Sequence, residues 1–173
     1  MPIIERSNTI LSTPNPGYAT AGAPTAPVNA VQTVSITGTP TGGTFTLTYE
    51  GRTTAPIAYN ATAIAVRTAL FALDVFDSPD IVASGGALPT TPVVLTFGGN
   101  YAGMPVSAFT ANGSGLTGGT SPAVSVAQTT AGVAASGRGA PVGCLLTDTT
   151  NGKIYVNTGT ALSPTWTVVG SQT

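Results

Sequence analysis

Hydrophobic and polar residues alternate along several short stretches of the chain, which is the pattern of half-buried β-strands. Val34 and Ile36 are separated by hydroxyl residues. Phe45, Leu47 and Tyr49 alternate with threonines in the same way. The connection TPTGG between the two stretches has the composition of a turn. The pattern therefore predicts a β-hairpin with one buried face.

A helical period replaces the alternation after Asn60, in the sequence ATAIAVRTALFAL. Its apolar residues recur every three to four positions, which predicts one amphipathic helix over about residues 60–73, with Asn60 as the N-cap. The apolar face would consist of Ala63, Val66, Leu70 and Leu73, widened by Ile64 and Phe71.

Strand patterns return after the helix at 81–84, 92–97 and 123–128, with a further candidate at 106–110. The fold class predicted for this region is α+β, mostly β: a largely antiparallel sheet with one packed helix. The same spacing also allows a small β-sandwich with an inserted helix.

The last region, 133–173, opens with a linker rich in Ala and Gly, which is expected to be flexible. Asn151-Gly152 then predicts a hairpin with a type I′ turn. Together with a third strand that contains Trp166, this gives a small β-meander. Its strands are expected at 145–149, 153–157 and 165–169.

The first region, 1–30, contains five prolines and has no sustained period, so it is expected to be an extended N-terminal arm. It carries four apolar anchors, Ile3, Ile4, Ile10 and Leu11. Anchors of this kind favour ordering against another surface, for example by strand addition. A disordered tail is the alternative. The predicted organisation is thus an arm (1–30), a central α+β module (31–132), and a linker with a C-terminal meander (133–173).

Charged residues make up only 6% of the chain, and the net charge is −1. Most exposed positions must therefore be uncharged, or be covered by other subunits. The five basic residues form no cluster, so nucleic-acid binding is not expected. No stretch has the length of a membrane span or of a signal peptide, so we expect a protein made in the cytoplasm, without a membrane partner.

The residues that usually carry catalysis are scarce. The chain has no histidine and a single cysteine, so no catalytic residues, cofactor or metal site are expected, and the chain is not expected to be an enzyme. Asp74, Asp77 and Asp80 recur at a spacing of three but lack the pattern of a calcium loop. They are interpreted as a solvated helix end and turn, and the alternative is an adventitious cation site.

The sequence NGSGLTGGTS, 112–121, matches the spacing of a dinucleotide-binding fingerprint and the frame of a phosphate-binding loop. The lysine that a phosphate-binding loop requires is replaced by Gly119, and a strand pattern follows where a helix should begin. The stretch is therefore interpreted as a loop between β segments, with glycines that allow tight backbone packing.

Two parts of the chain resemble phage proteins. The run TVSITGTPTGGTFTLTYEGRTTAPIAYNATAIAVRTAL, with the later VVLTF, ANGSGLTGGTSPAVSV and TTAGV, resembles a Gly/Thr-rich module of tailed-phage virion proteins. The C-terminal DTTNGKIYVNTGTALSPTWTVVG resembles the short β-meander that ends many phage head-decoration, head-fibre and tail proteins.

The resemblance implies a structural virion protein, which we expect to be a capsid decoration or cement protein on the outside of a phage head. Similar proteins are commonly homotrimers that bind the major capsid protein. In this interpretation Ile3, Ile4, Ile10 and Leu11 bind the capsid, and Tyr155 and Trp166 serve oligomer or tip packing. The alternative is a tail or head-fibre component that contacts host surface glycans.

Overall fold

In the computed structural model, which describes residues 18–20 as backbone and residues 22–170 in full, the chain divides into two units. The central unit is Pro27–Ala134, and the terminal unit combines the described residues before Pro27 with those after Ala134. The fold class is the α+β, mostly β class predicted from the sequence. The elements are β1 (Tyr18–Thr20), β2 (Val31–Thr37), β3 (Gly42–Tyr49), β4 (Arg52–Thr53), β5 (Ile57–Ala58), α1 (Ala63–Phe71), β6 (Ile81–Gly85), β7 (Val93–Phe97), a 3₁₀ helix (Gly99–Tyr101), β8 (Thr110–Asn112), β9 (Leu116–Thr117), β10 (Ala123–Thr130), β11 (Leu145–Asp148), β12 (Lys153–Asn157) and β13 (Trp166–Val168).

Two sheets share the core of the central unit. One has the strand order β10-β2-β7-β6, with every neighbouring pair antiparallel. The other is centred on β3, which pairs antiparallel with β4, β5, β8 and β9. Alternate side chains of both sheets enter one hydrophobic core, where Val34, Leu47 and Leu95 are fully buried. The architecture is thus closer to the sandwich that the spacing also allowed than to a single sheet.

The predicted hairpin between the first two strands is wrong, because β2 and β3 belong to different sheets. The connection between them is held by another loop of the chain: Gly38 accepts a hydrogen bond from the Thr120 N–H over 2.8 Å, and Thr41 donates to Thr117 over 3.0 Å. Both strands still bury the predicted side chains, since each sheet faces the same core.

Helix α1 begins later than the sequence predicts. Its N-cap is Thr62, whose hydroxyl accepts from the Ala65 N–H over 3.3 Å, so the assignment of Asn60 is wrong. Val66 and Leu70 are fully buried, as expected, but Ile64 is 64% exposed and does not widen the apolar face. The Arg52 guanidinium donates to the Leu73 carbonyl over 3.0 Å, just beyond the end of the helix.

Aromatic rings fill one part of this core. Phe76 packs against Tyr49 at a ring-centroid distance of 4.8 Å, against Tyr101 at 5.2 Å and against Phe109 at 5.9 Å. Such tilted and edge-on pairs stabilise a core beyond the area they bury. Burial and the neighbouring Glu50 raise the pKa of the Tyr49 hydroxyl to about 12.

A buried polar side chain attaches an irregular segment to β2. Gln32 is fully buried, donates to the Ser107 carbonyl over 2.9 Å and accepts from the Phe109 N–H over 3.0 Å. The strand predicted at 106–110 is therefore largely wrong, because this stretch bonds to a side chain and the strand β8 begins only at Thr110.

The terminal unit is a four-stranded sheet with the order β1-β11-β12-β13. The three meander strands occur where the sequence predicts them, and β1, from the predicted arm, adds a parallel strand beside β11. The predicted type I′ turn is wrong: Asp148 pairs with Lys153, which leaves a four-residue loop, and Gly152 has a positive φ (+66°) whereas Asn151 does not.

The stretch that opens the last region is packed, contrary to the expected flexible linker. Ala135 is 5% exposed and Ala140 is fully buried. Ser136 exchanges backbone and side-chain hydrogen bonds with Thr25, at 3.0 and 3.1 Å. None of the helices in the described part of the chain is long and apolar enough to span a membrane.

Candidate functional site

The glycine-rich loop 113–121 lies against the connection 38–41 and the start of β3. The strand β9 within this loop pairs with Gly42 and Gly43, and the Thr44 N–H donates to the Gly115 carbonyl over 3.0 Å. The two TGGT sequences of the chain are thus parts of one backbone-to-backbone junction.

Close backbone approach explains why glycine stands at several of these positions. At Gly43, where φ is +87°, an added Cβ would overlap the carbonyl oxygen of Gly115. At Gly119, where φ is +67°, it would overlap the carbonyl oxygen of Gly38. The interpretation that the glycines of NGSGLTGGTS allow tight backbone packing is confirmed, but the stretch is not only a loop, because it includes the short strand β9 and the last residue of β8. The loop leads into β10, so no helix N-terminus stands behind its glycines to hold a phosphate.

A shallow cavity of about 170 Å³ lies beside this junction. It is smaller than the roughly 300–1,000 Å³ typical of small-molecule sites. Its single aromatic residue, Phe45, is 1% exposed and presents no ring face to a ligand. The cavity is therefore a surface groove of the fold, lined by Thr44, Phe45, Thr46, Asn112, Ser114 and Gly115.

The three spaced aspartates have separate environments. Asp74 and Asp77 are exposed, but Asp80 is only 3% exposed, so the interpretation of all three as solvated is wrong for Asp80. One Asp80 carboxylate oxygen accepts from the Asn100 N–H over 2.9 Å, and the other accepts from the Asp77 N–H over 3.1 Å. Asp80 thereby fixes the backbone around the 3₁₀ helix. No group of three or more His, Cys, Asp or Glu in the described part of the chain is arranged to hold a metal ion.

Asn157 is the buried polar centre of the terminal unit. Its side-chain NH₂ donates to the carbonyls of Ala140 (2.7 Å) and Pro141 (3.3 Å). Its side-chain oxygen accepts from the N–H groups of Gly159 (2.9 Å) and Thr165 (3.0 Å). Asn157 is fully buried, and these four bonds join three separate stretches of the unit.

Asp148 organises the loop between β11 and β12. Its carboxylate accepts from the Asn151 side-chain amide over 2.7 Å and from the backbone N–H groups of Thr150 and Asn151 over 2.9 and 3.0 Å. The Asn151 amide holds the pKa of the Asp148 carboxyl below its ordinary value, against the opposing effect of burial.

Tyr155 and Trp166, the two aromatic residues proposed for oligomer or tip packing, both pack within the terminal unit. Tyr155 is 8% exposed and faces Leu146 and Val168 on the neighbouring strands. Trp166 is half-buried, and its indole N–H donates to the Ser136 carbonyl over 2.6 Å. Their role between subunits stays a prediction. The four capsid-binding candidates lie outside the described residues: Ile3, Ile4, Ile10 and Leu11.

The candidate residues from the sequence omit Asn157 and Gln32, the two buried amides with the most structural influence. The sequence contained a pattern that could have identified both residues. Asn157 stands two positions after Tyr155, and Gln32 two positions before Val34, so each shares a strand face with a buried apolar residue. A polar residue at an inward position of a strand is the pattern that would have identified them.

Comparison with known proteins relates the chain to a phage protein. No protein-family model matches the chain. Over 131 residues, 72% of this chain, the sequence is 33% identical to the tail sheath protein of Mycobacterium phage Bxz1, and the match spans 21% of that protein's length. Among solved structures, a chain of Mycobacterium phage Patience is similar with a TM-score of 0.44 and 20% identity, covering 87% of this chain and 58% of that one. The sequence similarity indicates a phage-related structural protein.

Proposed function

We propose that the chain is a structural virion protein, bound as a decoration or cement protein on the outside of a phage head, where it stabilises the shell. The observation that carries the phage assignment is the 33% identity to part of a tail sheath protein over 72% of the chain. The placement on the head is the finer part of the proposal, because the Gly/Thr-rich module resembles virion proteins in general and the C-terminal meander ends head-decoration, head-fibre and tail proteins alike. It is supported by the small size of the chain and by its nearly uncharged, Thr- and Gly-rich composition.

The arrangement of polar groups favours a structural role over a catalytic one. Asp80, Asp148 and Asn157 each bond to backbone groups of their own unit. The glycines of loop 113–121 pack against backbone, and the adjoining cavity is small. The polar groups that could serve in catalysis thus form hydrogen bonds that stabilise the fold. We propose that the chain is not an enzyme and that its partners are the major capsid protein and further copies of itself, without nucleic acid or membrane.

The proposed attachment to the shell uses the apolar residues near the N-terminus, Ile3, Ile4, Ile10 and Leu11. In a homotrimer, three weakly binding segments would act together, because the first contact raises the effective concentration of the other two. Deletion of residues 1–16 is expected to leave a folded oligomer that no longer binds shells. Full binding by the truncated protein would contradict the assignment of this segment.

The location and copy number of the chain on a purified particle test the proposal directly. Cryo-electron microscopy combined with quantitative mass spectrometry is expected to find many copies distributed over the head, outside the major capsid protein. A few copies confined to the tail, or absence from the particle, would contradict head decoration.

A tail component is the second candidate, and the similarity to a tail sheath protein favours it. Its proposed contact with host glycans requires exposed aromatic rings for stacking. Tyr155 is buried, and Tyr101 packs on Phe76 and donates to the Val75 carbonyl over 3.2 Å. The microscopy separates the two candidates, since a tail component would appear along the tail and a decoration protein over the head.

A further inference from the structure

The outward face of the sheet β10-β2-β7-β6 is unusual for a solvent-facing surface. All four strands lie within the described residues, and this face has no charged and no aromatic side chain, whereas a designed soluble surface carries about 25–35% charged residues. Its small residues form rows across the sheet, since Ser35 lies opposite Ser125, and Thr33 opposite both Val94 and Ala127. The face consists of Val31, Thr33, Ser35, Thr37, Val82, Ser84, Val94, Thr96, Ala123, Ser125 and Ala127.

The two edge strands of the same sheet are β10, beside which β8 lies, and β6, against which α1 packs. Within the described part of the chain, each of the two strands pairs with one neighbouring strand only, β2 and β7 respectively. Neither strand contains a charged residue or a proline, which are two of the features that protect an edge from pairing. At Val124 the edge is approached by Gly113, and a bulge interrupts it between Gln128 and Thr130. The open part of β10 is thus centred on Ser125–Gln128.

The directions of the two edge strands are complementary. Because each neighbouring pair in the four-stranded sheet is antiparallel, β10 and β6 run in opposite directions. A second copy placed beside the first with its β6 next to β10 therefore continues the antiparallel order without reversal. Both edges are uncharged, so their approach meets no electrostatic repulsion.

We infer that copies of this chain associate head to tail, with β10 of one copy paired to β6 of the next and the uncharged outward faces enclosed by the assembly. A heterologous contact of this kind closes into a ring when the rotation between copies allows it. Closure would pair both edge strands, and a ring that turns the uncharged face toward its axis would also remove that face from solvent. A second copy fits better than an unrelated strand because one chain supplies both halves of the contact.

The inference specifies the contact through which copies of the chain associate, and it rests on the proposed function only in assuming that self-association. Its test is made on the purified chain, without phage particles. Failure of self-association and failure of head decoration are therefore measured separately.

Cysteine pairs test the geometry. In a Cys144→Ser background, Ser84→Cys is combined with either Ser125→Cys or Ala127→Cys, which covers two neighbouring registers on one face. Mild oxidation is expected to give a disulfide-linked ladder with at least one pair and none with any single variant. Cross-linking by Ser125→Cys or Ala127→Cys alone would overturn the head-to-tail contact, because it requires β10 to pair with β10. The absence of a ladder with both pairs would also overturn it.

A matched pair of charge substitutions tests the surface. Ala127 is exposed on β10, and Ala55 is exposed between β4 and β5, two strands that pair with β3 in the other sheet. Ala127→Lys is expected to weaken self-association at least tenfold in sedimentation velocity, since a charged side chain at an edge opposes pairing. Ala55→Lys is expected to leave it unchanged, and circular dichroism verifies the fold of both variants. Equal behaviour of the two variants, or a monomeric unsubstituted chain at high concentration, would overturn the inference.

Discussion

Asn157 is a fully buried polar side chain that makes four hydrogen bonds within the terminal unit. Its buried amide donates to two carbonyls and accepts from two N–H groups, so both ends of the side chain are used. These bonds join the stretch around Ala140 to the turn at Gly159, which the backbone bond from the Gly139 N–H to the Ala161 carbonyl also connects. A buried backbone group without a partner costs about 1–3 kcal/mol. The contribution of this one side chain is therefore large for a unit of this size.

Replacing Asn157 by Asp is expected to destabilise the protein by about 2–4 kcal/mol. The carboxylate still accepts from Gly159 and Thr165, but it cannot donate to Ala140 and places a charge in a buried position. The matched control is Asn112→Asp, since Asn112 is exposed and only accepts, from the Ser114 N–H over 3.0 Å. The control should lie within about 0.5 kcal/mol of the unsubstituted chain. Urea unfolding followed by circular dichroism measures both, and equal losses would contradict the role of Asn157.

The lowered pKa of Asp148 predicts that the protein becomes less stable at acidic pH. Its pKa in the folded state lies below the ordinary value of 3.8, so the carboxylate contributes stability above that pH and loses it as the pH falls through the lowered pKa. The fluorescence of Trp166, the single tryptophan, should report a falling urea midpoint below about pH 4. In Asp148→Asn this part of the fall should disappear. An unchanged acid profile in that variant would assign the fall to other carboxylates.

Local hydrogen bonds from side chains also determine which dipeptide forms a two-residue turn. Asn151-Gly152 has the expected composition, but the Asp148 carboxylate binds the N–H groups of the loop and opens it to four residues. A two-residue turn with positive φ at both positions occurs instead at Glu50 (+46°) and Gly51 (+82°). Dipeptide composition could not predict this, because it omits the acceptor that competes for the backbone.

At the scale of elements, the sequence predicts strands better than their partners. The alternation of Phe45, Leu47 and Tyr49 depends only on which face is buried, and all three are buried as predicted. The partner of that strand depends on distant residues, since β3 pairs with β8 and β9, which follow more than sixty positions later. A sandwich and a hairpin built from β2 and β3 would bury the same side chains. The hydrophobic pattern therefore could not distinguish the two arrangements.

The close contact between the two glycine loops predicts that alanine substitution destabilises the protein by different amounts at two glycines with similar φ angles. Gly119 and Gly51 both have positive φ, +67° and +82°, but an added Cβ meets the Gly38 carbonyl at Gly119 and open space at Gly51. Gly51→Ala should cost only the left-handed conformation, about 1–2 kcal/mol. Gly119→Ala should cost at least about 2 kcal/mol more, because the loop must also move. Thermal unfolding measures both, and equal costs would mean that the junction is not tightly packed.

At the scale of the whole molecule, the hydrophobic pattern predicted the fold class but left the organisation of the chain incomplete. The terminal unit takes β1 from before the central unit and its other strands from after it. A three-residue strand has too little periodicity to be recognised, and its partner, β11, lies at the other end of the chain. The two predicted packing residues, Tyr155 and Trp166, contact their own unit. The uncharged sheet face has no sequence signal, because none of its residues is charged, aromatic or catalytic in type.

The scarcity of charge predicts how the chain responds to salt. With 6% charged residues, and none on the uncharged sheet face or its two edges, contacts between copies should depend on backbone hydrogen bonds and apolar burial. Salt screens charged interfaces over a distance of about 10 Å at 0.1 M and has little effect on such contacts. The dissociation constant for self-association should therefore change less than about twofold between 0.05 and 0.5 M sodium chloride. Sedimentation velocity across this range measures it. A tenfold weakening would show that the five basic and six acidic residues form the contact, and would move the interface away from the uncharged face.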